Sequence, residues 1–204
     1  MLIILILIFL IFALILSGFR GGRWAFWNML IRTVITISAA AYFTFWFVEK
    51  SVSKFLEDSL AIQIINYLPQ PIDFYIIRIQ DKVPEEEKFS SKHVGQIRPE
   101  YFRIEYLNMQ KSNEFWVVGY IGKGNLVYFS QVAVPNINED QIIEVRNYIN
   151  RSLKLSAIAS EKIEDLKYEN IKLSIWVTLD LLLIFLNSVL LFRGKRKKIT
   201  RFAI

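Results

Sequence analysis

The sequence predicts an integral membrane α-helical protein with three transmembrane helices and a small extracytoplasmic α/β domain of antiparallel strands flanked by helices. Hydrophobic residues make up 53% of the 204-residue chain, and they are concentrated near its two ends. The middle of the chain has the composition of an ordinary globular domain. One modest soluble domain between membrane segments accounts for both observations.

The apolar run from Leu173 to Phe192 is the clearest membrane segment. It contains 20 residues, and a helix of that length covers about 30 Å, the thickness of a bilayer hydrocarbon core. A basic tail, residues 193–204, follows it directly. This order of segments predicts a transmembrane helix over residues 173–192.

The distribution of charge predicts how the chain is threaded. Residues 49–172 carry 16 Lys and Arg against 18 Asp and Glu, whereas the remainder carries nine cations and one acid. Cations beside membrane helices mark the cytoplasmic side. We therefore expect the turn at 18–23 and the tail to be cytoplasmic, and residues 49–172 to be extracytoplasmic, in a plasma membrane of the bacterial inner-membrane type. The same distribution argues against a nucleic-acid partner, because the soluble domain is not basic.

The first two membrane helices are predicted over residues 1–17 and 24–48. Residues 1–16 are apolar, with the first cations after them rather than before them, which favours a retained helix over a cleaved signal peptide. Cleavage stays open as the alternative. The small residues 39–41 are a candidate helix contact, because small side chains let helices approach closely in lipid.

The soluble segment predicts both helices and strands. Apolar residues at three- to four-residue spacing predict that helix two continues outward as far as Pro69. Strands are predicted over 72–79 and 101–107, and a hairpin over 115–121 and 126–134 around the turn at 122–125.

Residues 135–140 look like a helix start, with a polar cap and acids in the first turn. Apolar spacing then predicts one long helix, or two stacked end to end, with a phase slip near Arg151 and Ser152. We expect this helix to enter the third span without a break.

Three polar residues lie within the predicted spans, namely Arg32, Asp180 and Asn187. An acid near the bilayer centre costs roughly 2.5–3.5 kcal/mol on insertion scales, so Asp180 should have a partner. Arg32 is the cation at comparable depth, which predicts an intramembrane polar pair assisted by Asn187. A polar contact or proton pathway in a larger complex is the alternative.

No residue pattern predicts catalysis, a cofactor or a metal. The single histidine, His93, is expected in a polar loop over 81–98, as is the acidic run 85–87. Nothing in the local spacing positions Asp81 or Glu87 to orient the imidazole in a triad. Metal binding by His93 with residues 85–87 stays open as the alternative to a solvated acidic loop. Cysteine is absent, which excludes disulfides and thiolate chemistry but fits either redox compartment.

The basic tail has two interpretations. It can anchor anionic lipid headgroups and fix topology, or it can dock a cytoplasmic partner. Its six cations are Arg193, Lys195, Arg196, Lys197, Lys198 and Arg201.

The leading hypothesis is a non-catalytic integral membrane subunit or scaffold of a larger complex. Its outer domain would bind a partner protein, and its spans would contact membrane lipid and other membrane proteins. The alternative is an extracytoplasmic sensor module that signals through a separate partner by moving the third helix. An enzyme is a third and weaker class.

Overall fold

The computed structural model describes residues 2–19, 24–52, 59–80, 84, 88–109, 112–122, 124–136 and 138–199. They form three helices and eight strands. The helices are α1 (Leu2–Leu16), α2 (Ala25–Val52) and α3 (Leu153–Ile199). The strands are β1 (Ser59–Asn66), β2 (Ile72–Ile79), β3 (Phe89–Ile97), β4 (Tyr101–Asn108), β5 (Glu114–Ile121), β6 (Asn125–Ala133), β7 (Gln141–Val145) and β8 (Ile149–Asn150).

The chain divides into two compact units. One comprises residues 1–51 and 169–204 and is called the helical unit; the other, residues 52–168, is called the sheet domain. Helices α2 and α3 are long and apolar enough to cross a membrane. Helix α1 has 15 residues and covers about 22 Å, less than a hydrocarbon core. Three full spans are therefore not supported.

The sheet domain has three layers. A three-stranded sheet in the order β4-β1-β7 packs on one face of a five-stranded sheet in the order β3-β2-β5-β6-β8. The first part of α3 covers the opposite face of the larger sheet. The sheets are mixed rather than antiparallel as predicted, because β7 pairs parallel with β1 and β8 pairs parallel with β6.

The period-two pattern of β2 explains how one strand serves both interfaces. Successive side chains of a strand point to opposite faces. Phe74 and Ile76 join the core between the sheets, whereas Tyr75 and Ile77 join the core under α3. Strand β5 is buried on both faces in the same way, which is why both strands read as nearly continuous apolar runs.

The predicted outward continuation of helix two is wrong over residues 59–66, which form β1. The apolar residues Leu60 and Ile64 are four apart, a spacing that fits both a helix and a strand. Ile62 decides the matter: it is fully buried, as are Leu60 and Ile64 to within 1%, so burial alternates along the segment. Phe55 and Leu56, which also supported the helix, lie outside the described residues.

The predicted helix start at residues 135–140 is also wrong. Residues 141–145 form β7 and residues 149–150 form β8. Strands therefore continue up to Arg151 and Ser152, where the apolar spacing of the sequence changes phase. Helix α3 begins there, where the Ser152 hydroxyl accepts a hydrogen bond from the Leu155 amide at 3.3 Å. This is an N-cap contact. From residue 153 onward the predicted uninterrupted helix is confirmed.

The four predicted strands and the hairpin are confirmed, with β5 and β6 antiparallel around Gly122. Gly122 has a φ of 65°, a conformation that glycine adopts without steric cost. The predicted polar loop over 81–98 is wrong from residue 89 onward, because residues 89–97 form β3 with an irregularity opposite Phe74 and Tyr75.

Asn66 links the end of β1 to two other segments. Its side chain is fully buried. Its Nδ2 donates to the carbonyls of Gln70 and Ile97, both at 2.9 Å, and its Oδ1 accepts from the Leu68 amide at 3.0 Å. Its own carbonyl accepts from the Glu100 amide at 2.7 Å. The β1–β2 connection and the β3–β4 turn are thereby fixed to one another.

Substituting Asn66→Ala should destabilise the sheet domain by about 2–4 kcal/mol, because the Ile97 carbonyl and the Leu68 amide lose a buried partner and the Gln70 carbonyl loses a part-buried one. Hydrogen exchange measured by mass spectrometry on the full chain should show faster exchange over 59–72 and 95–108. Asn125→Ala, at an exposed position, is the control and should change stability by less than about 0.5 kcal/mol. Equal effects of the two substitutions would contradict this role for Asn66.

Candidate functional site

The helical unit has a polar interior formed by the three predicted intramembrane residues. Asp180 and Asn187 are fully buried, and Arg32 is 5% exposed. Asn187 Nδ2 donates to the Leu10 carbonyl of α1 at 3.1 Å and to the Leu183 carbonyl at 3.0 Å. The amide therefore connects α3 to α1, a contact that the sequence did not indicate.

Asp180 is the unusual member of this interior. Within the described residues, neither of its carboxylate oxygens accepts a hydrogen bond. Arg32 lies on the buried stripe of α2 together with Thr36, Ala39 and Phe43. Both Arg32 and Asp180 are buried in the interior of the unit, but no hydrogen bond joins them. The Arg32–Asp180 pair therefore stays a prediction.

The basic tail is described only in part. Helix α3 continues through Lys195, Arg196, Lys197 and Lys198 as far as Ile199. Arg193 is exposed, and Arg201 lies outside the described residues. Lipid anchoring and partner docking by the tail both stay predictions.

His93 lies on β3 rather than in a loop, and its partner is an acid that sequence spacing did not suggest. His93 Nε2 is 2.7 Å from Asp73 Oδ1, and Tyr75 donates to the other oxygen of Asp73 at 3.0 Å. The imidazole stacks on the Tyr75 ring with centroids 4.6 Å apart. Pairing of Tyr75 with His93 across β2 and β3 creates this group. Asp81 and residues 85–87 lie outside the described residues.

Helix α3 contacts the same group of side chains. The Lys167 ammonium lies 5.2 Å from the Tyr75 ring centre and 5.1 Å from that of Tyr120. Tyr120 donates to the Ser160 hydroxyl at 3.0 Å. These contacts hold α3 to the sheet through cation–π and hydrogen-bonding interactions.

The two tyrosines of this group are poor candidates for acid–base chemistry. Burial, followed by the hydrogen bond to Asp73, raises the pKa of Tyr75. Burial also raises the pKa of Tyr120. Both phenols therefore stay neutral near pH 7, and neither can serve as a base there. Within the described residues, no group of three or more His, Asp or Glu side chains could hold a metal ion.

The outer face of the three-stranded sheet is apolar and exposed. The register of β4, β1 and β7 places alternate residues on the side away from the core. Phe102, Ile104 and Tyr106 of β4 are 58%, 46% and 41% exposed, and Ile142 of β7 is 60% exposed. We call this surface the outer face. It consists of Ser59, Ala61, Gln63, Ile65, Phe102, Ile104, Tyr106, Asn108, Ile142 and Glu144.

A cavity of about 270 Å³ lies at the β3–β4 turn. It is lined by Gln96, Ile97, Arg98, Tyr101, Phe102 and Arg103. Two arginines and two aromatic residues thus line one small cavity. We call it the turn cavity. No pattern in the sequence indicated this cavity, because its lining residues become neighbours only after both flanking strands have paired.

The chain matches no model of a known protein family, no curated protein and no solved structure.

The predicted pair in the helical unit can be tested by a double-mutant cycle of Arg32→Gln and Asp180→Asn. Removing one member of a buried ion pair should cost about 3–5 kcal/mol, and removing both should cost much less than the sum. Thermal unfolding of the detergent-solubilised chain measures all four variants. Asp165→Asn, an exposed acid on the same helix, is the control. Additive effects of Arg32→Gln and Asp180→Asn would show that the two residues are not paired.

Proposed function

We propose that this protein is a non-catalytic, integral membrane subunit or scaffold of a larger membrane complex, whose sheet domain binds a partner protein through the outer face. The observation that carries the proposal is the exposure of Phe102, Ile104, Tyr106 and Ile142 on one continuous sheet surface. Contiguous apolar patches of this kind mark interaction sites on soluble domains.

The composition of the outer face favours a protein over a lipid surface. None of its ten residues is Lys or Arg, and its one acid, Glu144, is bonded to Arg146 at 2.9 Å. Anionic lipid headgroups attract basic clusters. Aromatic and aliphatic side chains without cations are instead typical of the buried centre of protein interfaces.

The aromatic residues of α2 support its placement across a bilayer. Trp24 and Trp27 are exposed near its start, and Phe45 and Phe47 are exposed near its end. The 20 residues from Trp27 to Trp46 span 19 helical rises, or about 28 Å, close to the hydrocarbon thickness. Aromatic rings at both interfaces are typical of membrane-spanning helices. Helices α2 and α3 would then cross the membrane, with α1 packed against α3 through Asn187.

The proposed sidedness places the sheet domain outside the cytoplasm and the tail inside. Because the chain has no cysteine, Ser90→Cys and Thr200→Cys introduce single labelling sites. A membrane-impermeant maleimide added to intact cells should label the Ser90→Cys chain, and it should label the Thr200→Cys chain only after permeabilisation. The reverse pattern would overturn the proposed orientation.

Partner binding can be tested with the outer-face double substitution Ile104→Ser and Ile142→Ser. Extraction in mild detergent should co-purify a stoichiometric partner with the native chain. The double variant should bind it roughly tenfold or more weakly, because two apolar side chains at the interface are lost. Tyr148→Ser, an exposed aromatic outside this face, is the matched control. A clean monomer, or equal recovery with the outer-face variant, would contradict the proposal.

A second candidate, an extracytoplasmic sensor that signals through α3, is favoured by two observations. The turn cavity has a volume of about 270 Å³ and is lined by two arginines and a glutamine, which suits a ligand smaller than those that fill sites of roughly 300–1,000 Å³. Lys167 of α3 contacts two tyrosines of the sheet, one of which stacks on the exposed His93. A change at the sheet surface could therefore reach the helix through direct contacts.

A further inference from the structure

The residues that line the turn cavity carry a net positive charge. Arg98 and Arg103 both line it, and none of its other lining residues is acidic. Within the described residues, no carboxylate lies within salt-bridge distance of either guanidinium group. Three other cations of the sheet domain are paired: Lys92 with Glu105 at 2.9 Å, Arg146 with Glu144 at 2.9 Å and Lys162 with Asp165 at 3.1 Å.

The Arg103 side chain is positioned by the backbone of β3. Its Nη1 donates to the Val94 carbonyl of β3. Gly95 follows, with a φ of 103°, and a Cβ at that position would collide with the Arg103 guanidinium. Glycine both adopts this backbone conformation and leaves the space that the guanidinium occupies. Arg103 therefore lies in a fixed place over the β3 backbone.

The other side of the cavity is fixed by the buried Asn66. The Asn66 side chain donates to the Ile97 carbonyl, and the Asn66 carbonyl accepts from the Glu100 amide. These two hydrogen bonds hold the turn that carries Arg98. The Tyr101 amide also donates to the Arg98 carbonyl at 3.2 Å. Arg98 thus extends from an anchored backbone, while its side chain remains exposed. Because the Val94 carbonyl holds the Arg103 side chain, that side chain can bind an anion with little ordering cost.

We propose that the turn cavity binds a carboxylate group carried on an apolar or aromatic body. Guanidinium groups match the planar geometry of a carboxylate, and Tyr101 and Phe102 supply apolar wall for the rest of the ligand. The volume of about 270 Å³ suits a small organic acid or one acidic side chain. The inference goes beyond partner binding at the outer face, because it needs neither Ile104 nor Ile142.

The test uses the full chain in nanodiscs of zwitterionic lipid and 4-fluorobenzoate as the probe. Fluorine relaxation should report binding above the level of empty nanodiscs, and the neutral analogue 4-fluorobenzamide should show none. Arg98→Gln should weaken binding roughly tenfold, and the double variant with Arg103→Gln roughly a hundredfold, as expected for loss of charge-assisted hydrogen bonds. Arg151→Gln, which removes an exposed arginine outside the cavity, should leave binding unchanged.

Two competitors distinguish the source of the carboxylate. Stronger displacement by free 3-phenylpropionate assigns the cavity to a small acid, and stronger displacement by acetyl-Phe-Glu-amide assigns it to an acidic side chain of a protein. Absence of 4-fluorobenzoate binding, equal binding of the amide, or unchanged binding by the double variant would each overturn the proposal. The Arg98→Gln variant covers the case in which loss of Arg103 destabilises β4. The Arg98 side chain makes no hydrogen bond or ion pair with the described residues, so its substitution should not disturb the fold.

The outer-face variant separates the two proposed sites. It should lose partner binding and keep acid binding.

Discussion

The buried amide of Asn66 is the interaction on which the arrangement of the sheet domain depends. A single side chain bonds to the β1–β2 connection and to the end of β3, while its backbone carbonyl holds the β3–β4 turn. A buried amide is costly unless it is fully hydrogen-bonded, so these partners must form together. The smaller sheet is thereby fixed at one end to the larger one, and the turn cavity and the outer face lie on the strands that Asn66 connects.

The helical unit also buries polar side chains, but among its described residues neither Asp180 oxygen nor Asn187 Oδ1 accepts a hydrogen bond. Asn187 reaches the Leu10 carbonyl across two helices, and its neighbour on the same helix face, Asp180, is buried with it. Polar residues in membrane helices are expensive, and they face protein when protein is available. The position of these residues within the apolar runs was readable from the sequence. The contact with α1 was not, because the rotation of one helix against another depends on packing along their whole length.

The candidate sites in the sheet domain were hidden for two physical reasons. His93 and Asp73 are 20 residues apart, and only the pairing of β2 with β3 brings them together. The outer face looked like core in the sequence: Phe102, Ile104 and Tyr106 alternate like buried residues, and alternation does not say which side of a strand is covered. Apolar spacing led to a wrong prediction for β1, because apolar residues four apart fit both a helix and a strand. The prediction for β7 was wrong because its parallel partner, β1, lies about 80 residues earlier in the chain.

By itself the sequence determined the apolar helices, the basic tail, the hairpin and the presence of a small α/β domain between apolar segments. These features depend on local composition, on spacing and on turn chemistry, which act over a few residues. The tertiary structure alone decided which strands neighbour one another, that α3 begins at residue 153, and which apolar face stays uncovered. Those outcomes depend on pairing between distant segments, and the energy of such pairing comes from contacts that do not exist until the chain has folded.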